Sequence, residues 1–155
     1  MSREVFEENY RVYWATTVGN IAAPTVAEVA AATYIGSYVT KDGVALNISE
    51  NGVGIASIDT TFDAEVGGSW GVAPELTLFR DGVTETAGWN LIIKGTNGFL
   101  IVATFGVVTA GAKCYVLPAE MGIGKPTNSA ANEPQKFTVR FFVTSTPNLK
   151  AVIAA

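Results

Sequence analysis

A single β-rich domain with one short helix is what this sequence predicts, and three observations predict it. Apolar and polar residues alternate over short runs such as Lys136 to Thr144, the two-residue period of a strand with one buried face. Glycine, asparagine and proline punctuate those runs, as at Lys41-Asp42-Gly43, Gly95-Thr96-Asn97-Gly98 and Pro147. A clear helix-start signature occurs at Thr25 to Glu28. Neither a repeat nor a second core is visible, so residues 1–155 read as one domain, long enough to fold without staples.

Residues 1–18 are amphipathic and aromatic, with Tyr10, Val12 and Trp14 on one side of either an ordinary first strand or an arm lying on a neighbour. Pro24-Thr25-Val26-Ala27-Glu28 is a capping box, opening a helix through about Ala32. Tyr34 to Thr40 reads as a strand, Lys41-Asp42-Gly43 as a turn, and Val44 to Ile58 as a long hairpin. Residues 58–66 then alternate: Ile58, Thr60, Phe62, Ala64 and Val66 face one way, Asp59, Thr61, Asp63 and Glu65 the other. Gly67, Gly68, Gly71 and Pro74 are expected to turn the chain into an extended Glu75 to Asp81, stopped by Asp81-Gly82.

Trp89, Leu91 and Ile93 alternate in the next expected strand, and Gly95 to Gly98 reads as a hairpin loop. Phe99 to Phe105 is apolar on both faces, the mark of a central strand. Lys113 to Leu117 is a further strand, ended by Pro118, and Ala119 to Pro134 a long loop. Phe137, Val139, Phe141 and Val143 face inward on the final strand, and residues 147–155 remain as an apolar C-terminal tail.

Charged residues make up only 15% of the chain, against a usual ~25%. Either other subunits cover much of the surface, since interface cores are poor in charge, or the surface is simply uncharged. Residues 50–85 hold seven acids against Arg80, a net of −6, while residues 86–155 hold six bases against two acids, a net of +4. Such polarity favours head-to-tail association between copies, and the acidic part repels nucleic acid.

Histidine is absent, which removes Ser-His-Asp and Cys-His catalysis and imidazole zinc sites, and no enzyme is expected. Cys114, the one cysteine, sits among Tyr115, Val116 and Leu117 and reads as a buried, inert thiol. Gly124-Lys125-Pro126-Thr127 fails as a phosphate loop, with Ala119 where its first glycine belongs and no hydroxyl after the lysine. The uncharged Gly95 to Ala112 holds four glycines and three threonines and reads as two strands and a turn, not a membrane helix. Asp59, Asp63 and Glu65 match neither a carboxylate pair across a glycosidase cleft nor calcium-loop spacing. They read as a solvated strand face or as a surface kept acidic for what passes it. No metal or other cofactor is expected.

Several segments in order resemble the major tail (tail tube) proteins of long-tailed siphovirus bacteriophages, especially those infecting actinobacteria. They are Ala23 to Glu28, Val39 to Gly43, Thr61 to Glu65, Glu75 to Asp81, Asn97 to Val102, and Gln135 to Ser145 with Pro147 and Leu149. The acid-poor Val44 to Ala56 departs from that pattern. The resemblance implies a β-sandwich or partly open barrel with one short helix, forming rings, usually hexameric, that stack into a hollow tube. DNA would pass through without specific binding and with no membrane involved. The partners implied are further copies, the tape measure and the terminator, in a virion tail assembled in the host cytoplasm. Under it Asp59, Asp63 and Glu65 are expected to line the bore. Tyr10, Trp14, Trp70, Pro147, Leu149 and Val152 are expected at subunit contacts, with the 1–18 arm, the 44–57 hairpin and the 147–155 tail stacking the rings. A tail terminator, a capsid decoration protein, or a carbohydrate- or protein-binding sandwich presenting Trp70 and Trp89 are the other readings.

Overall fold

The computed structural model describes residues 11–80, 87–104, 106, 108–127 and 131–155. In chain order these form β1 (Arg11–Ala15), α1 (Val26–Ala31), β2 (Thr33–Tyr34), β3 (Val39–Ala45), β4 (Ile48–Gly54), β5 (Glu65–Val72), β6 (Glu75–Phe79), α2 (Ala87–Leu91), β7 (Asn97–Ala103), β8 (Lys113–Met121), β9 (Lys125–Thr127), β10 (Lys136–Val143) and β11 (Asn148–Val152). Expectations on Tyr10 and the rest of residues 1–10, on the Asp81-Gly82 stop and on Phe105 fall outside the described residues.

The uncharged stretch after Gly95 supplies the middle of an antiparallel sheet: β7 pairs with β1 on one side and β8 on the other. The order is β2-β1-β7-β8-β10-β6-β3, with β11 also on β8 and β9 also on β10. The path ends at β2 and β3, so the sheet stays open, a partly open barrel in its main body. Hydrophobic alternation sorts the side chains into two cores. Val12, Trp14, Leu76, Leu78, Leu100, Val102, Leu117, Phe137, Val139 and Phe141 fill the inside of the curled sheet. Tyr13, Ile101, Val116, Ala151 and Ile153 fill its other face, under Val29 of α1. The β1-β7-β8-β11 half is therefore covered on both faces, which is why Phe99 to Ala103 is apolar throughout.

A six-residue helix is marginal in isolation, and α1 holds through its cap and the buried Val29. The Thr25 hydroxyl accepts from the Glu28 amide at 3.1 Å, and the Glu28 carboxylate accepts from the amides of Thr25 at 3.0 Å and Gly19 at 2.7 Å. Those backbone donors, Thr25 first, hold the Glu28 carboxyl below its ordinary range.

Several expectations are corrected. Lys113 to Leu117 does not stop at Pro118, because β8 runs on to Met121. Pro118 accepts from the Thr144 amide at its carbonyl, so its missing N–H faces the same edge, where β8 changes partner from β11 to β10. Tyr34 to Thr40 is broken by a turn in which the Tyr38 amide meets the Ile35 carbonyl. Lys41-Asp42-Gly43 lies inside β3 as a bulge, where a Cβ on Gly43 would collide with the Thr40 hydroxyl and the Thr77 carbonyl.

Trp89 to Lys94 is not a strand: Trp89 and Leu91 belong to α2, and Trp89, Leu91 and Ile92 pack against the first core. A run of six mostly apolar residues fits a helical turn as well as a strand. Part of the expected 119–134 loop is strand, as the end of β8 and as β9. The 147–155 tail is no appendage. β11 pairs with β8, Ala151 and Ile153 are buried, and the Ala154 carbonyl accepts from the Val26 amide at 3.0 Å.

Candidate assembly surface

The β3–β6 pair does not end at the body of the molecule. Beyond the Ala45–Glu75 pair, the Ala73 amide meets the Leu46 carbonyl at 3.1 Å, Asn47 turns at φ +50°, and Ile48 pairs with Val72. Asparagine tolerates this left-handed backbone, and its side-chain amide donates to the Ala73 carbonyl at 3.0 Å. From there β4 and β5 run out as a two-stranded arm. Seven residues of β4 at about 3.3 Å each give a reach of roughly 23 Å before the tip.

The expected acidic strand 58–66 is therefore corrected. Residues 55–64 form the tip, closed by the Ile55 amide on the Ala64 carbonyl at 3.0 Å and by Thr60 on the Ser57 carbonyl through both amide and hydroxyl. Asp59 and Asp63 are exposed in this tip, and Glu65 opens β5. Ile58 is 100% exposed and Phe62 77%, so the apolar side of the alternation has nothing to pack on among the described residues. Gly67, Gly68 and Gly71, expected to turn the chain, lie within β5. Gly68 sits at a bulge, and a Cβ there would stand 2.8 Å from the Asn51 carbonyl oxygen.

That bulge changes what each face of the arm presents. Near the root Ile48 pairs with Val72 and Glu50 with Trp70 on one face. Beyond it Val53 pairs with Val66, and the parity of β4 puts Val53 on the face opposite Ile48 and Glu50. Gly54 faces Glu65, whose carboxylate lies over Gly52. The arm thus exposes apolar side chains on both faces and carries Glu50, Asp59, Asp63 and Glu65, with no lysine or arginine from Leu46 to Pro74. An isolated two-stranded hairpin is marginal in water, and five glycines weaken this one further.

The other expected contact residues separate into three groups. Trp70 and Pro147 come together, lining a groove of ≈ 280 Å³ between the arm root and the β10–β11 turn. Trp14 is corrected to a core residue: it is 3% exposed and its ring lies 5.5 Å from that of Phe141. Leu149 and Val152 are half-buried in β11, Leu149 against the first core. Trp89 offers no free stacking face, since the Arg80 guanidinium lies 4.2 Å from its ring and Phe137 meets it edge-on at 4.8 Å. Burial pushes the Cys114 thiol up to about 11. Sequence reasoning missed the exposure of Ile58 and Phe62; the signal was an apolar, acid-flanked, glycine-rich run with no partner run nearby.

Comparison with known proteins agrees with an assembly part. A cryo-EM structure of the anti-feeding prophage (AFP) baseplate, six-fold symmetrised, contains a chain with the same fold: TM-score 0.58, 10% identity, 98% of this chain and 99% of that one. No curated protein matches. The family model for phage tail tube proteins matches residues 5–155. With nearly the whole length so matched on an open, mainly β fold, the chain belongs to the phage tail tube protein family and is a structural tail protein.

Proposed function

We propose that copies of this chain close into rings, that the β4–β5 arm of each copy reaches the next ring, and that the stacked rings form the tail tube through which phage DNA passes. One observation carries the proposal: an arm of roughly 23 Å that exposes Ile48, Val53, Ile55, Ile58, Phe62 and Val66 to water. Such a surface is costly unless another protein covers it, and a family of tube proteins supplies further copies as the cover. Hexameric rings are supported by the six-fold symmetry of the baseplate that holds the structurally similar chain. The tape measure inside the tube and a terminator at its end are the other partners, in a tail assembled in the host cytoplasm.

Of the three acids expected on the bore, Glu65 keeps that place under this proposal, because it faces away from the Val53–Val66 contact side. Asp59 and Asp63 share the tip with Ile58 and Phe62 and go with them to the contact with the next ring. Negative-stain microscopy of the purified chain is expected to show rings or tubes, and I58D/F62D to abolish them while the subunit stays folded. Tubes of normal length from the folded variant would remove the arm from assembly. For the bore, Glu65→Lys should allow tubes and slow genome release; unchanged release would move Glu65 off the wall.

A further inference from the structure

If the arm reaches a second copy, its acids and apolar tip require a receiving surface of opposite charge, and the chain carries one on its own body. The turn after α2 and the turn after β8 are tied together: the Gly95 amide donates to the Met121 carbonyl and the Met121 amide to the Thr96 carbonyl, both at 2.9 Å. The tied turns carry Ile93 and Ile123, 63% and 59% exposed, each with a lysine within two residues, Lys94 and Lys125, both exposed. Lys136 lies one strand over, on the same outward face of β10 as Arg140. Among the described residues Glu120, whose carboxylate comes close to Gly95, is the acid set beside Lys94 and Lys125.

An arm cannot satisfy its own copy's corner. It leaves the sheet at the Ala45–Glu75 end of the β3–β6 pair and runs outward from there, whereas the corner stays on the body, with Lys125 paired to Thr138 in mid-β10 and the Gly122 amide donating to the Arg140 carbonyl. Asp59 and Asp63 lie beyond a further strand length, roughly 23 Å out. Opposite charges held that far apart on one subunit are met between copies. We propose that the corner formed by Ile93, Lys94, Ile123 and Lys125 receives the arm tip of a second copy, Ile58 and Phe62 packing on the isoleucines while Asp59 and Asp63 meet the lysines. The proposal rests on the ring-stacking function and names the site that function needs.

The test compares sedimentable polymer from three purified chains: wild type, K94E/K125E, and the charge swap that adds D59K/D63K to K94E/K125E. Matching far-ultraviolet circular dichroism and thermal melts establish that all three fold. The double reversal is expected to lower polymer yield by about tenfold or more, and the swap to restore it to within about twofold, as paired charges that couple directly do. Wild-type yield from K94E/K125E, or a folded swap that stays unpolymerised, overturns the corner while leaving tube formation intact. A wild-type chain that forms neither rings nor tubes overturns the ring-stacking function and the corner with it. Normal tubes from K94E/K125E that have lost binding to a double-stranded DNA oligonucleotide would make the corner a nucleic-acid surface instead, and overturn it as a docking site.

Discussion

Cys114 and Glu28 show how two polar groups with little in common are set by their surroundings. Cys114 lies in β8 beneath the Ala151 and Ile153 layer, and burial penalises its thiolate, so the thiol titrates near about 11. Native protein is therefore expected to resist an aromatic disulfide reagent at neutral pH and to react once urea unfolds it; rapid stoichiometric labelling of the folded chain would contradict the burial. Glu28 is shifted the other way because two backbone amides donate to its carboxylate. A carboxyl whose folded value is depressed adds stability that is full above its unfolded value of 4.5 and is lost as pH falls through the lower folded one. The stability gap between wild type and E28Q in urea melts should then be open at pH 7 and close in acid. Thr25→Ala removes the other half of the capping box and should cost about 1 kcal/mol at pH 7.

At the scale of elements, the contrast between β11 and the arm decides which truncations the fold tolerates. β11 reads in the sequence as an apolar tail, yet it closes the second core, with Ala151 0% and Ile153 1% exposed. Deleting residues 147–155 should therefore unfold the subunit, and Ile153→Ala alone should cost about 2–5 kcal/mol in a denaturant melt. The arm is the reverse case: replacing residues 51–69 by a two-residue Asn-Gly turn should leave the melting temperature close to wild type and abolish polymer. What was legible follows from where each partner lies. β10 and β7 announce themselves because their alternation or double-sided apolarity is satisfied inside the chain, and α1 because its capping box is local chemistry. Residues 58–66 carry the same alternation, but no described residue of the same copy packs on Ile58 or Phe62, and Thr60 bonds back to Ser57 instead. Trp89 to Lys94 was illegible because six residues cover fewer than two helical turns, too few to tell the helical from the strand period. β11 was hidden because its cover, α1, lies more than a hundred residues earlier in the chain.

The whole molecule is a polar object in the electrical sense: an acidic arm leaves one end of the open sheet, and the lysines of the C-terminal half lie on the body behind it. Two kinds of attraction are thereby assigned different jobs. Under the ring-stacking proposal, charge acts at a distance to orient an arriving copy, whereas Ile58 and Phe62 act only on contact to hold it. Salt separates the two. The screening length is about 10 Å at 0.1 M and about 3 Å at 1 M, so added sodium chloride should weaken steering long before it touches burial. Elongation followed by light scattering is expected to slow steeply between these concentrations, while preformed tubes transferred to 1 M salt stay intact. If elongation were indifferent to salt, the charge polarity would have no part in assembly; if preformed tubes dissolved at 1 M, the joint would be held by ion pairs rather than by buried Ile58 and Phe62.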